Sequence, residues 1–182
     1  PTRLPELLGS IIEWAVELMR ADAAEILLWN PEKKVLIQAV SHGFMQVYDG
    51  VPLRPGDGMG GRVYQTGEPM FVQDYASWEG RSEAYTPIPP FVGTFAVPLE
   101  WNGTIIGVLE MDADSRRRAF GQHDVQLATI FANMATVAIK NAQLYEGLEE
   151  RSEKLQRTLE RQVAERTAEL QRRALQLEIS AS

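Results

Sequence analysis

From Gln122 to Ile179 the chain carries no proline and one glycine, Gly147, and it is dense in residues that favour helix. From Leu144 onward the stripe positions advance by four, four and three. Leu144, Leu148 and Ser152 are followed by Leu155, Leu159 and Val163, then Arg166, Leu170 and Ala174, then Leu177. An eleven-residue repeat averages about 3.67 residues per turn, which keeps the stripe on one face of a nearly straight helix. At about 1.5 Å per residue that helix reaches about 85 Å. A chain of 182 residues cannot cover such a rod alone, so Leu144, Leu148, Leu155, Leu159, Val163, Leu170 and Leu177 ask for a partner helix. Ser152 and Arg166 are polar seam positions, which set register at some loss of affinity. The helix before about Tyr145 is expected to be domain core. Gly147 falls at the border, costing about 1 kcal/mol relative to alanine.

The rest of the composition bounds the function. Apolar residues make up 45% and charged residues 24%, which suits a globular chain. No apolar run nears the ~20 residues of a membrane span, so no membrane is expected here. The net charge is −7. The first 140 residues hold seventeen acids against eleven bases, and the remainder eight against seven. Phosphate binding needs a basic surface, so nucleic acid is not an expected partner. Absence of cysteine removes disulfides, thiolate metal sites and cysteine nucleophiles, and suits a reducing, cytoplasmic compartment. A first residue of proline suggests a piece of a longer chain.

Leu4, Leu7, Leu8, Ile11, Ile12, Ala15, Leu18 and Met19 recur at three- and four-residue steps. They predict an amphipathic helix over about 3–21 that packs on a sheet. Its stripe is broad and takes in Trp14, so one edge is expected to meet a second subunit as well. Ala24 to Trp29 and Lys33 to Ser41 read as strands joined by an Asn30-Pro31-Glu32 turn. His42 to Gly50 reads as a loop, and Val51 to Arg54 as a short edge strand. Pro69 to Gln73 is a further strand, and Asp74 to Pro90 an irregular, aromatic-rich cover. Val92 to Trp101 and Thr104 to Asp112 form a hairpin, because Asn102-Gly103 supplies the positive φ angles of a type I′ turn. Ala113 to Ala119 is a solvated loop that holds Arg116-Arg117-Arg118.

Between residues 55 and 69 the chain reads Pro-Gly-Asp-Gly-Met-Gly-Gly-Arg-Val-Tyr-Gln-Thr-Gly-Glu-Pro. The glycines suggest a tight turn feeding a short helix, Gly61 to Thr66, stopped by Gly67. A phosphate loop is not expected, because no Gly-Lys-Ser/Thr follows and no buried strand leads directly into a long helix.

Three stretches carry a family resemblance. The first is Gly56-Asp57-Gly58-Met59-Gly60-Gly61-Arg62-Val63 with Gln65 to Pro69 and Asp74. The second is Ala96-Val97-Pro98-Leu99 with Asn102-Gly103-Thr104-Ile105-Ile106-Gly107-Val108-Leu109. The third is Phe120, Asp124, Leu127, Phe131, Ala132, Ala138, Ile139, Asn141-Ala142 and Leu144-Tyr145-Glu146. From about Leu4 to Glu146 the chain resembles a GAF domain, the small-molecule sensing module related to PAS domains. Leu159 to Leu170 resembles the connector helix that precedes the phosphoacceptor bundle of sensor histidine kinases.

The resemblance implies an α+β fold, GAF-like and PAS-related. A six-stranded or near six-stranded antiparallel sheet would be flanked by helices, with a long C-terminal dimerising helix. It implies a sensor domain over 1–145 and a coiled-coil connector over 146–182. The terminal helices would cover one sheet face and form a homodimer. The short helix and irregular cover would close a ligand pocket on the other, with Arg62, Tyr64, Trp78, Arg81, Tyr85 and Phe91 as candidate lining residues.

Family chemistries can be tested residue by residue. The Asn-Lys…Phe…Asp-Glu set of cyclic-nucleotide binders survives only as Phe120 and Asp124. A structural role suits both, Phe120 under the helix start and Asp124 at the positive end of the helix dipole. Covalent bilin attachment and free methionine sulfoxide reduction use cysteines, which are absent. Haem would need His42 or His123, each better read as a surface residue, so no cofactor is expected. Ser41, His42 and Asp49 lack a nucleophile elbow, and neither paired carboxylates nor metal-ligand spacing is apparent. The expected function is therefore a non-catalytic sensor module of a signalling protein, such as a two-component histidine kinase. The alternatives are a ligandless dimerising spacer and, more distantly, the regulatory domain of a diguanylate cyclase.

Overall fold

The protein is described by a computed structural model covering residues 4–87 and 92–180. It falls into two compact units, residues 1–140 and 141–182. In chain order the elements are α1 (Leu4–Met19), β1 (Ala23–Asn30), β2 (Val35–His42), α2 (Gly58–Thr66), β3 (Met70–Val72), β4 (Val92–Trp101), β5 (Thr104–Asp114) and α3 (Gln122–Ser180). A single 3-10 helix, Gly43–Tyr48, fills the segment expected to be a loop. The fold is α+β with one antiparallel sheet of five strands in the order β2-β1-β5-β4-β3.

The expected sixth strand at 51–54 is reduced to one bridge. Leu36 and Leu53 exchange both backbone hydrogen bonds, at 2.8 and 3.0 Å. Pro52 and Pro55 flank Leu53, and proline has no N–H with which to extend the pairing. The β4–β5 turn follows the local chemistry, with Asn102 at φ 49° and Gly103 at φ 76°. Helix α2 starts three residues earlier than the glycine run suggested and ends at Gly67, which is left-handed at φ 71°.

The strands alternate sides. Ala24, Ile26, Phe95, Val97, Leu99, Leu109, Met111 and Ala113 point to a core shared with Leu8, Ile11, Ile12, Ala15 and Met19 of α1. Val125, Ala128, Phe131, Ala132, Ala135 and Ile139 of α3 belong to the same core. Phe120 packs edge-on against Phe95, ring centroids 4.6 Å apart. Asp124 accepts the Gly121 N–H at 2.9 Å and pairs with Arg118, closing the N-terminus of α3.

Within the first unit α3 has two apolar faces. Opposite its sheet-facing residues stand Ile130, Met134 and Val137, all exposed. The expectation that only the helix beyond Tyr145 carries a free stripe is therefore corrected. A helix lays one face on the sheet, and the same three- and four-residue steps run back from Leu144 on the other. In the second unit Leu144, Leu148, Leu155, Leu159, Val163 and Leu170 are all more than half exposed. The side chain of Leu177 lies outside the described residues.

Candidate functional site

On its other face the sheet meets a different set of partners. Ala23, Leu27, Leu36, Ala96 and Val108 pack with Met45 and Tyr48 of the 3-10 helix, Leu53, Met59 and Val63 of α2, and Tyr75 and Tyr85 of the irregular segment 74–87. Alternation in the strands also puts Glu25, Thr94, Glu110 and Asp112 on this side. Glu25 lies directly opposite Glu110 in the β1–β5 register, and Thr94 opposite Asp112 in the β4–β5 register. Glu110 and Asp112 are two residues apart on β5, hence on the same face. All three carboxyls are buried. The expectation of no paired carboxylates is corrected by this cluster.

Each acid has a partial set of partners. Gln38 donates to Glu25 Oε2 at 2.5 Å, and the Tyr85 hydroxyl donates to Glu25 Oε1 at 3.0 Å. Thr94 donates to Asp112 Oδ1 at 2.5 Å. The other oxygen of Asp112, Oδ2, has no hydrogen-bond partner, nor has Glu110 Oε2. Burial pushes Glu25 up to about 7 against the Gln38 and Tyr85 hydrogen bonds, which hold it down. Burial pushes Asp112 up to about 7 as well, helped by the negative charges of Glu25 and Asp22 and opposed by Thr94. Glu110 is held well above the usual carboxylate range by burial and then by Glu25 and Asp112; the Gly60 N–H opposes this.

Glu110 and Asp112, with Thr94, Met45, Tyr48, Tyr75 and Tyr85, line a cavity of about 20 Å³. Tyr48 and Tyr85 meet edge to face at 5.1 Å, and Tyr48 donates to the carbonyl of Pro87. The cover is tied to the start of α2. Ser82 donates its hydroxyl to Asp57 Oδ2 and its N–H to the Tyr75 hydroxyl, both at 3.0 Å. Two glycines let α2 sit this close. Gly58 has φ +63°, and a Cβ on Gly60 would fall 2.6 Å from Leu27 Cδ1 and 2.9 Å from Glu110 Oε2.

The residues expected to line the pocket divide into three places. Tyr85 alone lines the cavity. Arg62 lies over the Trp78 ring at 5.1 Å and Arg81 donates to the Trp78 carbonyl; both arginines are exposed, while Trp78 is half-buried against the cavity-side core. Tyr64 stacks instead on Trp29, centroids 4.7 Å apart. Phe91 lies outside the described residues. Sequence reasoning passed over Glu25, Glu110 and Asp112. A signal was there: Glu25 interrupts the apolar run of β1, and Glu110 and Asp112 alternate with Leu109, Met111 and Ala113 in β5. Among the described residues no hydrogen bond joins Ser41, His42 and Asp49, and no three His, Asp or Glu side chains are placed to hold a metal ion. No described helix is long and apolar enough to cross a membrane.

Solved structures with the same fold come from varied proteins. A GAF domain/HD domain protein from Geobacter sulfurreducens matches at a TM-score of 0.69 and 16% identity, over 79% of this chain and 95% of that one. The GAF-B domain of DevS from Mycobacterium smegmatis matches at 0.60 and 20%, over 81% and 98%. A free methionine-R-sulfoxide reductase from Neisseria meningitidis, solved with its substrate, matches at 0.66 and 18%, over 80% and 83%. No curated protein sequence matches the chain. The family model of the GAF domain matches residues 1–140. That match spans well over half of the chain, and the fold agrees, so the chain belongs to the GAF domain family.

Proposed function

We propose that the protein is a non-catalytic regulatory module of a cytoplasmic signalling protein, a sensor histidine kinase being the parent its connector-like helix fits best. Residues 1–145 form the sensor, and residues 146–182 the connector to an output domain. The module works as a homodimer through its terminal helices, and a small-molecule event on the polar face changes how those helices pack. Such a ligand acts only as far as it binds one arrangement better than the other.

The observation that carries this reading is the stripe. Leu144, Leu148, Leu155, Leu159, Val163 and Leu170 are each more than half exposed, and they repeat with a period that two straight helices can share along their length. The exposed Trp14 and Leu18 of α1, with Ile130, Met134 and Val137 of α3, extend the apolar surface available to a second copy. Light scattering tests it. The chain is expected to run as a dimer at micromolar concentration, and L155K with L159K together to weaken the dimer by about a hundredfold or more, since two buried apolar contacts become charges. A wild-type monomer defeats the reading. A second reading, a ligandless dimerising spacer, is favoured by the small cavity of about 20 Å³. Native mass spectrometry that finds no bound molecule after gentle purification supports that reading.

A further inference from the structure

Glu25, Glu110 and Asp112 are buried carboxyls that, among the described residues, no lysine, arginine or histidine pairs with. The protein does not lack cations nearby. Asp114, next but one along β5, takes Arg116 at 2.7 Å, and Asp22 takes Arg117 at 2.6 Å. Those arginines serve acids that are only half-buried, whereas the fully buried acids are left to something else. Carboxyls withdrawn from water with neither a counter-charge nor a full set of hydrogen bonds cost a fold stability whether they ionise or hold their protons. Stability alone gives no reason to collect three of them.

What surrounds the acids is aromatic. Tyr48, Tyr75 and Tyr85 line the same cavity, and the faces of such rings attract cations. Glu110 Oε2 and Asp112 Oδ2 are acceptors with no donor. An –NH₃⁺ group brings one positive charge and three donors, which answers both needs at once. A divalent metal answers them less well, since it wants six or more oxygens at short range, and no three side chains here are placed to hold a metal ion. A cavity of about 20 Å³ takes a body of about one water, the size of an ammonium head. Any carbon attached to that head would lie beneath the cover, 74–87, which has no helix or strand.

We propose that the cavity between the sheet and the 74–87 cover recognises a compact ammonium group, with Glu110 and Asp112 accepting its hydrogen bonds and the three tyrosines walling it. The proposal rests on the sensor reading and names the ligand class for it. Free ammonium and the head of a small primary amine share this chemistry. The acidic charge of the first 140 residues favours approach of either.

Binding is linked to protons. The titratable groups facing the site are Glu25 from β1, Glu110 and Asp112 from β5, Tyr48 from the 3-10 helix, and Tyr75 and Tyr85 from the cover, with Asp22 and Asp57 acting through charge. Gly60 of α2 contributes only its N–H. Because burial holds Glu25, Glu110 and Asp112 all above the ordinary carboxylate range, an arriving cation displaces protons from this cluster and binding strengthens as pH rises.

Titration calorimetry on the full chain tests this, with ammonium chloride and methylammonium chloride as probes. Potassium and tetramethylammonium at equal ionic strength are the controls. Saturable binding of at least one amine is expected, with proton release, tighter at about pH 8 than at about pH 6. The controls should be weaker by about tenfold or more, and D112N should cost the amine about tenfold, the loss of one charge-assisted hydrogen bond. Preference for ammonium identifies the free ion as the source, and preference for methylammonium an organic amine; either supports the site. Equal binding of potassium, or no saturable binding of either amine, overturns it. Should D112N not fold, the comparison of probes and pH on the native chain decides alone. A failed titration alongside an intact dimer removes this site and leaves the sensor reading standing.

Discussion

The two faces of one sheet are built by opposite rules. Toward α1 and α3 the strands present Ile26, Phe95, Val97, Leu99, Leu109 and Met111, wholly apolar and sealed by regular helices. Toward the cavity the same strands present Glu25, Thr94, Glu110 and Asp112, covered by a short glycine-rich helix, a 3-10 helix and an irregular segment. Both faces are buried, so depth does not distinguish them. The difference lies in what burial achieves: one side gains from removing apolar surface from water, while the other holds groups that lose by it. Where a fold gives up stability on one face and keeps it on the other, the first face is where function is to be sought.

The largest effect is expected on the apolar side. Phe95→Ala removes a fully buried ring from between the sheet and Phe120 and is expected to destabilise by about 3–5 kcal/mol in urea unfolding. A loss under about 1 kcal/mol there would show the helix-backed face to be less closely packed than its contacts indicate.

Next comes the pH dependence of the polar side. Glu25 and Asp112 titrate near 7 in the folded chain against ordinary values of 4.5 and 3.8. Between those values the folded state holds more protons than the unfolded one, so stability falls as pH rises through that window and levels off above it. The melting temperature is therefore expected to drop from pH 5 to pH 8, and D112N to flatten the slope and to exceed the native chain in stability at pH 8. A flat profile would mean that the acids are solvated and that the two faces are alike in what burial costs them. The smallest effect is expected from Tyr85→Phe, which removes the donor to Glu25 Oε1. It should cost about 1–2 kcal/mol and raise the pH at which stability levels off, since that hydrogen bond holds Glu25 down.

The apolar side was legible in the sequence because its signals are local. The three- and four-residue steps of α1 and the Asn102-Gly103 turn each fix their own backbone. The start of α2 was harder to read. Glycines at 60 and 61 look like a turn, yet they sit inside a helix because a Cβ on Gly61 would fall 2.2 Å from the Arg54 carbonyl oxygen. That constraint belongs to packing, which no short window of sequence contains. The acid cluster was illegible for the same reason. Glu25 and Glu110 are 85 positions apart in the chain and directly opposite in the β1–β5 register, so the cluster exists only once the strands pair. The expected lining residues Arg62 and Arg81 were chosen by composition of the cover, and they stand exposed because long cations keep their heads in water, with Trp78 packed beneath Arg62.

Strand β5 has a mechanical consequence. Leu109 and Met111 touch the helix-backed core, while Glu110 and Asp112 line the cavity, and each neighbour is one planar peptide away from the next. Only the backbone of β5 therefore separates the acids of the cavity from the apolar core that holds the root of α3, and a shift of that backbone would reach both faces without a relay of intermediate side chains.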